Sequence, residues 1–363
     1  MSEKILPLVS PPILLYVDYA YTLSILRNYS KTDAWFYCNY IQIFYQKKGE
    51  GDICKFFITD TYGRVWNPFI PWFNYQLFDR SSVKSLNINI IDLVINSLNT
   101  NYYVHLYWDE YYVPNGITYN ENHFSHATLI YGYNQTEKCF YTVGFQNTRK
   151  NENFDSSFYN YEKHKISFND FEQAYYSDTN DHISTEICLM KFNDEITYNF
   201  DLTVLIQQLN DFYLSRNSLL NYGTHFNANN VYNNSFFRNP PGSEMIFGMD
   251  AYKKLQSFIE TAPQDNYKRS FQPLYALWEH KKIMLERIEY LQNNRYLSEN
   301  QSLNVSYKQI EKKAKALNDY FIKFIISKND KLITRMVTIL SEIYEHEKII
   351  LADMIKELSD QVL

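Results

Sequence analysis

A chain of 363 residues is long enough for two domains, and a net charge of -6 excludes the overall basic field that a nucleic-acid-binding protein carries. Its 45% hydrophobic content is that of a packed protein, and 34 Tyr and 25 Phe against only 9 Gly predict an aromatic-rich interior with few flexible loops.

The first apolar run, residues 5 to 17, follows Lys4, yet Glu3 precedes it, Pro7, Pro11 and Pro12 interrupt it, and no small-residue cleavage site follows. It therefore reads as part of the folded chain and not as a signal peptide. No run approaches the roughly 18 apolar residues of a membrane span, so no membrane partner is expected and the cytoplasm is the expected compartment. Asp18 then reads as the N-cap of a helix with Tyr19, Leu23 and Leu26 on one face. A second helix is predicted from about 33 to 46, with Trp35, Cys38, Ile41 and Tyr45 sharing a face. Ile88, Ile91, Ile95 and Leu98 mark a third, after which residues 102 to 109 alternate like a strand.

The pair Asp109-Glu110 ends that strand, and a polar loop from Tyr111 to Asn122 leads to His123 and His126. In the run from His126 to Tyr133, Leu129 and Tyr131 alternate with Ile130 and Gly132. The turn-prone residues 134 to 137 and a second apolar run, 139 to 146, complete a hairpin signal with His126 at its lip. Ser167 with Asp170 starts a further helix in capping-box style, and 185 to 192 reads as a strand. Beyond about Asn193 helical periodicity takes over, which predicts an α+β domain over 1–195 and an all-α helical domain over 196–363. In the second, Asp201 caps a helix to about 215, a long Asn-rich loop covers 217 to 241, and helices follow at 249–261, 273–293, 305–327 and 330–358.

In the last of these, Met336, Leu340, Ile343, Ile350 and Met354 fall at a/d spacing with Glu347 as the one polar interruption. That seam packs on a helix of the same chain or of a second copy, so a homodimer stays open. Glu279, His280, Lys281, Lys282, Glu286 and Arg287 form a charged helix face, read as solvated or ion-paired. The four cysteines, Cys38, Cys54, Cys139 and Cys188, have no CxxC or metal-ligand spacing. They read as reduced thiols; Cys38, Cys139 and Cys188 sit in apolar patterns and so belong to the core. His123, His126 and Asp109 lack the helical pairing that would fix a metal, and no cofactor is called for.

Three blocks, HFSHATLIYGYN at 123–134, WFYCNYIQIF at 35–44 and LYALWEHKKIMLERIEYL at 274–291, resemble the butirosin biosynthesis protein H-like family, whose amino-terminal domain is related to papain-like peptidases of the double-glycine leader type. The resemblance implies a papain-like first domain and acyl transfer from a carrier-protein thioester to a small-molecule amine in natural-product pathways of the nonribosomal peptide kind. In that pattern a cysteine begins the first helix, where the helix dipole favours its thiolate; this chain has Asp18 there. His126 matches the family histidine and is expected to act as general base, with Asp18, Gln146 or Asn147 to orient it. Asp109, Glu110 and His123 are either ion-paired or solvent-facing loop residues or, with Tyr19 beside Asp18, contacts for the amine substrate. Lys308, Lys312 and Lys315 form either a plain exposed flank or a dock for an acidic acyl or peptidyl carrier protein. The alternative is a catalytically degenerate papain-like pseudoenzyme that binds a carrier protein or acts as a scaffold.

Overall fold

The computed structural model describes residues 2–48, 51–56, 70–114, 116, 118–145, 161–177, 186–218, 245–265 and 270–362. In chain order its elements are β1 (Glu3–Ile5), α1 (Val17–Leu26), α2 (Asp33–Cys38), β2 (Ile43–Lys48), β3 (Gly51–Phe56), β4 (Phe73–Asp79), α3 (Arg80–Ser85), α4 (Ile90–Asn99), β5 (Tyr103–Asp109), β6 (Ser125–Asn134), β7 (Cys139–Phe145) and β8 (Tyr161–Ser167). They continue with α5 (Phe168–Tyr176), β9 (Glu186–Phe192), α6 (Leu202–Tyr213), β10 (Met245–Phe247), α7 (Ala251–Thr261), α8 (Gln272–Asn293), α9 (Gln301–Ser327) and α10 (Lys331–Ser359).

The chain divides into two units, Met1–Ser30 with Thr61–Thr197 and Lys31–Asp60 with Tyr198–Leu363. The division after Thr197 lies beside the one read at 195, but neither unit is a single stretch of sequence. Lys31–Asp60 groups with the second unit because β2 pairs antiparallel with β10, Tyr45 opposite Ile246. The second unit is for the same reason not all-α: β10, β2 and β3 form a three-stranded sheet beneath its helices.

The predicted helix over 33–46 is overturned in its second half. Helix α2 stops at Cys38, Tyr40 takes a left-handed φ of 51°, and the β-branched and aromatic residues that follow pair as β2 with β3. The long loop read at 217 to 241 falls, from 219 on, outside the described residues.

The first unit is built on an antiparallel sheet in the order β4-β9-β5-β6-β7-β8, with β1 pairing on β6 beyond the end of its ladder to β5. Helix α4, capped by the Asn89 side chain, buries Ile90, Val94 and Leu98 on β5 and β6, and α5 starts where Ser167 accepts the Asp170 N–H at 3.0 Å. On β6 the register to β7 slips between Ile130 and Gly132, and the Tyr131 carbonyl at that irregularity accepts the Leu6 N–H at 2.7 Å. A Cβ on Gly132 would stand 2.6 Å from the Lys4 carbonyl oxygen and 3.1 Å from the Ile5 Cα. The Tyr141 ring, at 3.0 Å, can turn aside, but the β1 backbone cannot, so Gly132→Ala must push β1 off β6. The expected loss of stability is about 1–3 kcal/mol, checked by urea denaturation together with hydrogen exchange of the Leu6 amide.

In the second unit the charged face read on residues 279 to 287 is not solvated: Glu279, His280, Lys281 and Arg287 are all buried. Arg287 donates from Nε to the Tyr37 carbonyl at 2.8 Å and from Nη2 to those of Asn39 and Tyr40 at 2.6 and 3.1 Å, so a buried cation closes the carboxyl end of α2. Burial pushes its guanidinium down to about 10. The a/d residues Met336, Leu340, Ile343 and Met354 of α10 are buried, with α9 and α6 among the helices it packs on. Among the described residues no helix is long and apolar enough to cross a membrane.

Candidate active site

Strand β5 ends in a single 3₁₀ turn, Glu110–Tyr112, and the turn is set by Asp109. The Asp109 Oδ1 accepts the N–H groups of Tyr111 and Phe124, each at 3.1 Å, which ties the start of the 111–122 loop to its end. Its Oδ2 meets His123 Nδ1 and the Ser177 hydroxyl, both at 2.6 Å. Burial raises this carboxyl, but the hydrogen bonds from Ser177, His123 and the two amides outweigh burial and hold it below its ordinary range. Asp109 is therefore an internal clasp, and His123 stacks on Tyr111 at 4.3 Å with its ring half exposed.

Glu110 is fixed by the same turn. Trp108 sits opposite His126 in the β5–β6 register, and side chains two apart on a strand share a face, so Glu110 follows Trp108 towards His126. Its Oε1 lies 2.5 Å from His126 Nδ1, and its backbone N–H donates to the Phe124 carbonyl at 2.9 Å. Both side chains are largely buried, Glu110 at 4% and His126 at 23% exposure. A buried carboxylate on Nδ1 fixes the tautomer, holds the ring in place and leaves the Nε2 lone pair free to take a proton.

His126 lines a small recess together with Trp108, Glu110, Thr128, Gly144, Phe145 and His164, among others. The second oxygen of Glu110 is buried, with no hydrogen-bond partner among the described residues. His164 on β8 tilts against the Trp108 ring at 6.3 Å; burial lowers its basicity, partly offset by the Glu162 carbonyl and the Glu110 charge. Helix α1 reaches the same place. Where the ladder from β6 to β7 ends at Leu129, the Ala127 carbonyl accepts the Tyr21 hydroxyl at 2.8 Å. Tyr21 is fully buried, and burial, then the neighbouring Tyr161, Glu110 and Tyr107, push its phenol well above the usual range.

The structure thus joins His126 to Glu110 and His123 to Asp109. Asp18 lies in the first turn of α1 and is not its N-cap: that position is Tyr16, whose side chain does not cap the helix. The carboxylate on His126 is that of Glu110, and neither Asp18 nor Tyr19 lines the recess. Tyr19 is buried edge-on to Tyr16. Gln146 and Asn147 fall outside the described residues.

The residues that the sequence reading missed are His164, Trp108 and Tyr21. Trp108 carried a usable signal, its parity with Glu110 on one strand; His164 carried none, sitting in the charged run YEKHKIS. All four cysteines are buried. Burial pushes the thiols of Cys54 and Cys188 to about 12 and that of Cys38 to about 11, and raises Cys139 as well, so none has the depressed pKa of a nucleophile. Among the described residues no three His, Cys, Asp or Glu are grouped to hold a metal ion. Neither a scan against protein-family models nor a search of curated proteins finds a match to this chain.

Proposed function

We propose that this protein carries out an acyl-transfer or amide-forming step of carrier-protein-dependent natural-product biosynthesis, on a papain-like scaffold similar to that of the butirosin biosynthesis protein H-like proteins. The observation that carries this reading is the Glu110–His126 pair, a general base held by a buried carboxylate and opening into a recess beside the first helix. His126 Nε2 takes the proton from an attacking amine as its nitrogen bonds to the thioester carbonyl. The C–S bond then breaks, and the imidazolium returns the proton to the departing carrier thiolate. Glu110 stabilises the imidazolium between the two transfers. Attack by Asp18 would give a mixed anhydride, uphill from the thioester, so acyl transfer here is direct.

The absence of an activated thiol favours a second reading, a pseudoenzyme that binds a carrier protein without turnover. Offering the protein an acyl-carrier thioester and an amine separates the two. Wild type is expected to form amide, and His126→Ala to do so about 10²-fold more slowly or worse. Carrier binding with no amide from either protein would establish the scaffold. Asp18→Cys that alkylates rapidly with iodoacetamide supports the papain-like placement of the first helix; an inert thiol removes it.

A further inference from the structure

Three ionisable groups line the recess, Glu110, His126 and His164, and the hydrogen bonds they make leave each with an acceptor atom unused. Glu110 Oε1 takes the Nδ1–H of His126, which leaves that ring's Nε2 as a lone pair. His164 Nδ1 lies 3.4 Å from the Glu162 carbonyl, which only accepts, so the hydrogen is on Nδ1 and Nε2 is again a lone pair. Burial keeps this second imidazole neutral. Glu110 Oε2, buried and without a hydrogen-bond partner among the described residues, is the third acceptor. Thr128 adds a hydroxyl that turns either way, and Trp108 and Phe145 supply aromatic surface, which favours a cation over an anion. Gly144 keeps the space open: a Cβ there would come within 3.4 Å of the Tyr21 hydroxyl and 3.8 Å of His164 Cε1.

We infer that the recess selects a primary amine over secondary and tertiary ones, its three N–H groups as the ammonium matching Nε2 of His126, Nε2 of His164 and Oε2 of Glu110. His164 is then a specificity-determining residue that no sequence pattern marks. The inference rests on the acyl-transfer reading in taking the recess as the seat of the attacking nitrogen. Binding precedes chemistry: Glu110 and His164 hold the nitrogen while His126 withdraws the first proton and passes it to solvent, and the neutral amine then attacks with His126 free again to take the second.

The test is binding, read by NMR on the full chain labelled with ¹⁵N-histidine, using methylamine, dimethylamine and trimethylamine hydrochlorides as probes. Methylamine is expected to shift the ring signals of both His126 and His164, with affinity falling about tenfold for each N–H replaced by methyl, the scale of one hydrogen bond to a charged group. The free protein should show both rings as Nδ1–H tautomers. His164→Leu should flatten the series while the downfield Nδ1–H proton of His126 stays in place, and His164→Gln, whose amide oxygen still accepts, should restore part of it. Equal affinities across the three probes, no binding of any, or an unchanged series in His164→Leu each overturn the inference. Selective methylamine binding without acyl transfer would overturn the catalytic reading and leave the recess specificity standing.

Discussion

Glu347→Ala is expected to destabilise the second unit by about 3–5 kcal/mol, the scale of removing one partner from a buried ion pair. Its carboxylate is fully buried and accepts from three helices: Lys281 Nζ of α8 at 2.7 Å on both oxygens, Tyr307 of α9 at 2.5 Å, and the Tyr252 hydroxyl of α7. Lys281 also donates at 2.8 Å to His280 Nδ1, whose Nε2–H donates to the Ile41 carbonyl at 2.7 Å, and the Lys281 charge and burial together keep that imidazole neutral. Alanine at 347 would leave an ammonium and two phenols inside with their main acceptor gone, and each unpaired buried group adds to the loss. Removing the whole set, with Glu347→Leu, Lys281→Met, Tyr252→Phe and Tyr307→Phe together, should recover most of the stability, since a packed apolar replacement of a buried pair is often neutral or better. Denaturation followed by hydrogen exchange in α7 to α10 reads the effect unit by unit. A single Glu347→Ala variant as stable as wild type would show that the carboxylate does not hold these helices together.

The same cluster explains where sequence reasoning stopped. Charges at 279 to 287 read as a solvated or ion-paired flank, and the ion pair is there but buried, its partners distant in the chain: Glu347 lies 66 residues beyond Lys281, and Ile41 lies 239 before His280. Glu347 itself was visible as the break in an apolar seam, and its reason was not. The hairpin with His126 was legible because two apolar runs of strand length flank a turn-forming run, which leaves one reading that fits. The bond from His126 to Glu110 was half legible. Parity puts Trp108 and Glu110 on one face, but the register that brings His126 opposite Trp108 depends on a loop whose closure by Asp109 cannot be counted from residues. Two elements gave misleading signals. The 33–46 stretch satisfies helical spacing, yet its chain turns left-handed at Tyr40, a non-glycine residue that gives no warning. β8 alternates poorly because it lies at the edge of the described sheet, where Glu162, Lys163 and Lys165 are exposed, and His164 went unnoticed among them.

The first unit is expected to lose stability in mild acid through His105. This residue sits on β5 opposite Leu129 of β6 and Cys188 of β9, 4% exposed, with its ring 5.8 Å from that of Tyr21 and 5.7 Å from that of Tyr107. Burial pushes its imidazole down to about 3, and among the described residues its Nε2 has no hydrogen-bond partner to share a proton. In the unfolded chain the same group titrates near its ordinary value of about 6.5. Below that pH the unfolded state binds a proton that the folded state refuses, so stability is whole above about 6.5 and drains as pH falls towards 3. The full loss is roughly 4–5 kcal/mol, at about 1.4 kcal/mol for each pH unit between the two values. Burial lowers His164 in the same direction, while Asp109, held low by its hydrogen bonds, gives up its contribution only at more acid pH. His105→Phe keeps a ring of similar volume and removes the titration. Urea unfolding at pH 7, 5.5 and 4.5, read by hydrogen exchange in β5 and β6, should show a shallower pH slope for the variant than for wild type. Identical slopes would mean that the His105 ring takes up its proton inside the fold and that the acid sensitivity originates elsewhere.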